Sequence, residues 1–120
     1  MKHILRIDKN DYEIDVKTII RNNREFIDLE DLAKAKKQIA LIIAKKNIDP
    51  PTTVEFNYLV SACGLKNAEL AQQVRVEPVM IMLWRKELLV SKVDWYSLRI
   101  FFLMHFALEL QLRPGFTTNK

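Results

Sequence analysis

A chain of 120 residues with 49% hydrophobic side chains can bury a core of one domain, or of one domain with an appendage. Only two glycines argue against a loop-rich or disordered chain, and a single cysteine, Cys63, excludes an intrachain disulfide or a cysteine-rich zinc site. The formal net charge of +4 is compatible with nucleic acid, but it is shared by both halves and builds no basic arm.

Residues 1–27 form the first segment. Ile4, Arg6 and Asp8, then Tyr12, Ile14 and Val16, alternate around the turn-forming Lys9-Asn10-Asp11. This predicts a β-hairpin with strands near 2–8 and 12–20. Arg21-Asn22-Asn23-Arg24 is a second turn, and Glu25-Phe26-Ile27 a third short strand. His3 reads as a surface histidine, because one histidine cannot hold a metal. No apolar run follows a basic start, so no secretory signal is expected.

Residues 28–48 read as a connecting helix. Asp28 is its N-cap and Asp31 adds negative charge to the first turn. Leu29, Leu32, Ala33, Ile39, Ala40, Ile42 and Ile43 supply helical apolar spacing. Lys34, Lys36 and Lys37 form a solvated face that could also touch phosphate, and Lys45 and Lys46 suit the negative end. Asn47 to Pro51 stops the helix.

Residues 49–120 hold the remaining helices. Thr52 or Thr53 caps a helix whose inner side is Phe56, Leu59 and Val60, with Cys63 a small buried residue near its end. Ala68 to Val74 and Pro78 to Lys86 then form two short helices joined by Arg75, Val76 and Glu77. Pro78 suits a first helical position, where its missing N–H is no loss. Leu70, Ala71 and Val74 give one apolar face, Ile81 and Trp84 the other, and Val76 plugs the turn. This is a helix-turn-helix pattern. Leu88 to Lys92 is a loop, Ser91 a cap with Asp94 at N3, and Val93 to Leu112 the final helix. Arg113-Pro114-Gly115 ends it.

That final helix is apolar almost all round, more than one face needs, which implies a second buried surface. A homodimer interface of Trp95, Phe101, Phe102, His105 and Phe106 is the simplest expectation. Its longest unbroken apolar run, Ile100 to Met104, is too short to span a bilayer, so no membrane association and a cytoplasmic location are expected.

The order Glu69-Leu70-Ala71, then Val76, Pro78, Ile81 and Trp84, resembles the Xre (Cro/C1-type) helix-turn-helix family. Within it, Glu55, Phe56, Leu59, Gly64-Leu65, Asp94, Leu98 and Arg99 resemble the frame of the MqsA/YgiT-type antitoxin regulators, and 27–32 the lead-in to their connecting helix. The resemblance covers roughly Phe26 to Phe102. It implies a mainly α fold: a small N-terminal β-hairpin, a connecting helix, and a four- to five-helix Xre-like domain. The zinc-binding cysteines of that group are absent, so no zinc role and no other cofactor carry over.

In a helix-turn-helix the second helix enters the major groove. The resemblance therefore implies DNA contacts from Lys66, Asn67, Val79, Met80, Leu83, Arg85 and Lys86. The expected function is a DNA-binding transcriptional regulator, a homodimer on a palindromic double-stranded operator. In an antitoxin form the N-terminal segment would hold a cognate toxin. Base edges, however, ask for hydrogen-bonding side chains. Val79, Met80, Met82 and Leu83 offer none, and Glu77 faces phosphate with the wrong sign. The alternatives are a degenerate helix-turn-helix that binds protein through its apolar second helix, or simple burial of those residues. Arg75 also stands where the family commonly has glycine, which costs of order 1 kcal/mol if the turn is left-handed.

Catalysis needs convergent titratable groups. Cys63 and His105 lie in apolar helical stretches without a third orienting group, and neither a P-loop nor a dinucleotide-binding glycine pattern is present. No enzymatic activity is expected.

Overall fold

The computed structural model describes residues 1–86 and 90–111. In chain order the elements are β1 (Lys2–Ile7), β2 (Asn10–Asp15), β3 (Thr18–Arg21), β4 (Arg24–Ile27), α1 (Leu29–Lys46), α2 (Thr53–Cys63), α3 (Asn67–Val74), α4 (Pro78–Lys86) and α5 (Lys92–Gln111). The fold is mainly helical, with the strands confined to the N-terminal segment. The expected loop at Leu88 and Leu89 and the helix stop at Arg113-Pro114-Gly115 lie outside the described residues.

The N-terminal segment is two hairpins, not one with a third strand. β1 and β2 pair antiparallel from Lys2↔Asp15 to Ile7↔Asn10, so the turn is Asp8-Lys9 and not Lys9-Asn10-Asp11. Asp8 takes the left-handed conformation there. The strand expected to run to residue 20 breaks at Val16 and Lys17. Val16 is buried, and its N–H donates to the Met1 carbonyl at 2.8 Å, while the Lys17 N–H donates to Asp31 Oδ2 at 2.8 Å. The Val16 bond is a last rung in the β1–β2 register, and the Lys17 bond aims the chain at α1. β3 and β4 then pair through Asn22 and Asn23, both at positive φ, the conformation of a tight hairpin turn.

The helices begin where local chemistry satisfies their free N–H groups. Asp28 accepts from the N–H groups of Glu30 and Asp31 and opens α1. Thr52 opens α2 with a full capping box: the Glu55 N–H donates to Thr52 Oγ1 and the Thr52 N–H donates back to Glu55. Ser91 opens α5 by accepting from the Asp94 N–H at 3.2 Å. Gly64, at φ 74°, ends α2 in the left-handed conformation that suits glycine.

α1 and α5 pack along each other, α2 packs on α1, α4 and α5, and α3 packs on α4 and α5. Phe56 sits at the centre, edge-on to Trp84 at 6.2 Å and to Phe102 at 6.3 Å; Phe102 stacks on Phe106 at 5.9 Å. The same buried cluster takes in Ile7, Ile14 and Val16 from the first hairpin. Arg99 donates to the carbonyls of Ala44 and Lys45, and Trp95 Nε1 to that of Asn47, so α5 caps the C-terminal end of α1.

This packing corrects the expected dimer interface. Trp95, Phe102 and Phe106 are wholly enclosed by their own chain. Phe101 and His105 are half-buried beside them, with His105 Nε2 3.1 Å from the Cys63 carbonyl. Because α5 is apolar all round, periodicity alone could not say which side turns inward.

Candidate nucleic-acid interface

α3 starts where Glu69 accepts the Lys66 N–H at 2.8 Å. It buries Leu70 and Ala71, while α4 buries Ile81 and Trp84. Ala71 lets the helices approach closely, since a larger side chain would hold them apart. Between them Arg75 takes φ 59° and ψ 49°, the left-handed region, and the Val76 N–H reaches back to the Ala71 carbonyl at 3.0 Å. The turn is thus made without glycine, at the conformational cost anticipated from the sequence.

The outward side of α4 carries Val79, Met82 and Leu83, exposed by 50, 41 and 37%. Met80 differs from that expectation: it is half-buried and packs against the core. Lys66, Arg75, Glu77 and Lys86 are exposed at the ends of the two helices. The projecting middle of α4 therefore offers van der Waals contact but no hydrogen-bond donor or acceptor.

Two of the residues expected at DNA are instead engaged with each other. Arg85 Nη1 donates to Asn67 Oδ1 at 2.9 Å, and Arg85 Nε donates to Asn57 Oδ1 at 2.8 Å. Asn57 Nδ2 closes the ring by donating to the Arg85 carbonyl at 2.6 Å. This clasp ties the last turn of α4 to α2 and to the start of α3. In the fold Arg85 is a brace: Nε and Nη1 hold the end of α4 to Asn57 and Asn67, two of the five N–H donors of the half-buried guanidinium. Asn67, which receives that bond, is likewise half-buried. Lys66 and Lys86 adjoin the clasp and remain free to face solvent.

Sequence reasoning missed Asn57, whose partner lies 28 residues away and leaves no local signal. It also missed a polar network beneath the helices. Lys46 Nζ lies 3.0 Å from Glu55 Oε2 and donates to the Tyr12 hydroxyl at 3.0 Å, so it links the first hairpin, α1 and α2. Burial acts to raise the Glu55 carboxyl, but the Thr52 N–H and the Lys46 ammonium together hold it below its ordinary value of 4.5. Cys63 is buried, its S–H 3.1 Å from the Val60 carbonyl, and burial pushes the thiol up. A raised thiol is a poor nucleophile.

Among the described residues no group of three or more His, Cys, Asp or Glu side chains is placed to hold a metal ion, and no helix is long and apolar enough to cross a membrane. Comparison with family models, curated proteins and solved structures finds no match. The Xre resemblance therefore rests on the residues alone.

Proposed function

We propose that the chain is a DNA-binding regulator of the helix-turn-helix class, reading double-stranded DNA with α4. The observation that supports this most is the α3–α4 pair itself: two short helices in contact, joined by a left-handed turn and braced by the Asn57–Arg85–Asn67 clasp, with one face of α4 outward. In this reading Lys66 and Lys86 meet phosphates, which position the protein without reading sequence. Val79, Met82 and Leu83 meet thymine methyl groups, the one apolar feature of the major groove. Its antitoxin form adds a toxin held by the N-terminal hairpins, where Ile19, Ile20 and Phe26 lie exposed.

The test is fluorescence anisotropy with the chain's own upstream DNA and a scrambled duplex over a salt series. A regulator binds the first about a thousandfold more tightly. Replacing Lys66 and Lys86 by Ala flattens the salt slope by about 1 per lysine. Equal, weak binding to both duplexes sinks the proposal.

The exposed trio on α4 also favours a second reading, a protein-docking module that kept the helix-turn-helix frame. Under it Met82→Glu with Leu83→Glu abolishes a protein partner and leaves the fold intact, while Lys66→Ala with Lys86→Ala has no effect on that partner.

A further inference from the structure

The first hairpin has an open side. Its sheet is two-stranded, and the Val16 N–H bonded to the Met1 carbonyl fixes which pairs of the ladder are hydrogen-bonded. They are His3 with Ile14, Leu5 with Tyr12, and Ile7 with Asn10. The peptide groups of Asp11, Glu13 and Asp15 therefore point the other way, along the free edge of β2. Among the described residues nothing accepts from those three N–H groups.

α1 runs beside that edge. Between them lies a groove of about 470 Å³, walled on the helix side by Ala35, Gln38, Ile39 and Ile42. Those four stand at i, i+3, i+4 and i+7 and so form one side of the helix. Ala35 and Ile39 are buried, while Ile42 is 49% exposed. An open strand edge beside an apolar helix face is what strand addition needs: the edge supplies main-chain hydrogen bonds, and the helix seats alternate side chains. The rim is acidic. Asp11 and Glu13 each meet one cation of β1, Arg6 at 3.6 Å and Lys2 at 3.5 Å, across the strand from the open edge. Both pairs are exposed and so contribute little, and each carboxylate keeps acceptor sites to spare. Asp15 is held by the Met1 ammonium at 3.2 Å and lines a neighbouring hollow with Lys34, so the charge preference is set at Asp11 and Glu13.

We propose that this groove takes an extended, basic segment of another protein, which adds to β2 as an antiparallel third strand. Residues opposite Asp11 and Glu13 lie on the solvent face of the sheet, so Lys or Arg there meets the carboxylates. Residues opposite Tyr12 and Ile14 turn inward, so Val, Ile or Leu there packs on Ile39 and Ile42. The favoured segment thus alternates apolar and basic side chains over about five residues, an ordinary strand length. A second copy of this chain does not fit. Its own β2 edge is acidic, and the inward residues of its β1, Leu5 and Ile7, are packed in their own core. The groove uses no residue of α3, α4 or the second hairpin, so it stands whether α4 reads DNA or docks protein.

The experiment is amide NMR of the full chain titrated with two capped peptides, Val-Lys-Val-Lys-Val and Val-Glu-Val-Glu-Val. The lysine peptide is expected to bind, to shift the Asp11 and Glu13 amides, and to slow their solvent exchange at least about tenfold at saturation. The glutamate peptide is expected to bind at least about tenfold more weakly. Glu13→Pro removes an edge N–H that the β1 ladder does not use, and should weaken the lysine peptide at least about tenfold while the helix amides stay in place. Asp11→Asn with Glu13→Gln keeps every backbone group and should erase the preference for lysine over glutamate. Unchanged exchange at Asp11 and Glu13, equal binding of the two peptides by the wild type, or undiminished binding by a folded Glu13→Pro variant would each overturn the proposal.

Discussion

Removing the ammonium of Lys46 tests how the hairpin, α1 and α2 are joined. Lys46 Nζ lies 3.0 Å from Glu55 Oε2 and over the Tyr12 ring, 5.6 Å from its centroid. Glu55 is only 5% exposed, and it also accepts from the Thr52 N–H at 3.1 Å. Lys46→Met keeps the stem and deletes the charge. Breaking a fully buried pair costs about 3–5 kcal/mol, because the remaining charge is left without its partner. Lys46 is itself 36% exposed, and the Thr52 donors stay in place, so the expected loss is ~2 kcal/mol.

The pH dependence sharpens the test. The Glu55 carboxyl is lowered in the fold, so it contributes stability that is complete above its ordinary value of 4.5 and is lost as pH falls through the folded value. Without Lys46, the burial that acts to raise Glu55 loses its main ionic counterweight. The gap between wild type and variant is therefore full near neutrality and shrinks in acid. Urea unfolding followed by fluorescence of the buried Trp84 and Trp95 measures it at both ends. A gap of equal size near neutrality and well below the ordinary carboxyl value would refute the reasoning, as would no gap near neutrality.

Three further outcomes are expected. Arg75→Gly relieves the left-handed strain at φ 59° and, net of glycine's greater freedom in the unfolded chain, stabilises by about 0.5–1 kcal/mol; a lower melting temperature would contradict this. Arg85→Ala removes the clasp to Asn57 and Asn67 and costs about 2 kcal/mol, whereas the exposed Lys86→Ala costs less than about 0.5, both read from denaturant midpoints. Tyr58, whose hydroxyl donates to the Lys36 carbonyl at 3.0 Å, is pushed up to about 12 by burial and then by the charge of Tyr12. Absorbance titration should show one late tyrosine that vanishes in Tyr58→Phe, with stability falling as pH rises from 10 through about 12.

The helix starts at Asp28, Thr52 and Ser91, and the α4 start at Pro78, were legible in the sequence because each rests on bonds within three residues or on a ring already set at helical φ. The inward residues of α3 and α4 were legible too, since Leu70, Ala71, Ile81 and Trp84 stand at helical spacing amid polar neighbours. Where the N-terminal strand breaks was not legible. The chain leaves the first ladder at Lys17, whose N–H donates to Asp31 and whose carbonyl accepts from the Asp28 N–H, 14 and 11 residues away.

What the chain's local chemistry determined by itself was a set of amphipathic and capped helices behind paired strands, together with the apolar character of α4. Two matters were decided only when the helices packed. Nothing local marks Arg85 as a brace, and Asn57, brought to it from 28 residues away, makes it one. α5 is apolar on both sides, so its periodicity is degenerate. The fit of Trp95, Phe102 and Phe106 around Phe56 chose the inner face, and that choice left Ile100 and Met104 outside. Short-range rules assign elements because capping and spacing act over a turn of helix. Facing and side-chain partnership depend on shape complementarity between segments far apart in the chain, which no single segment contains.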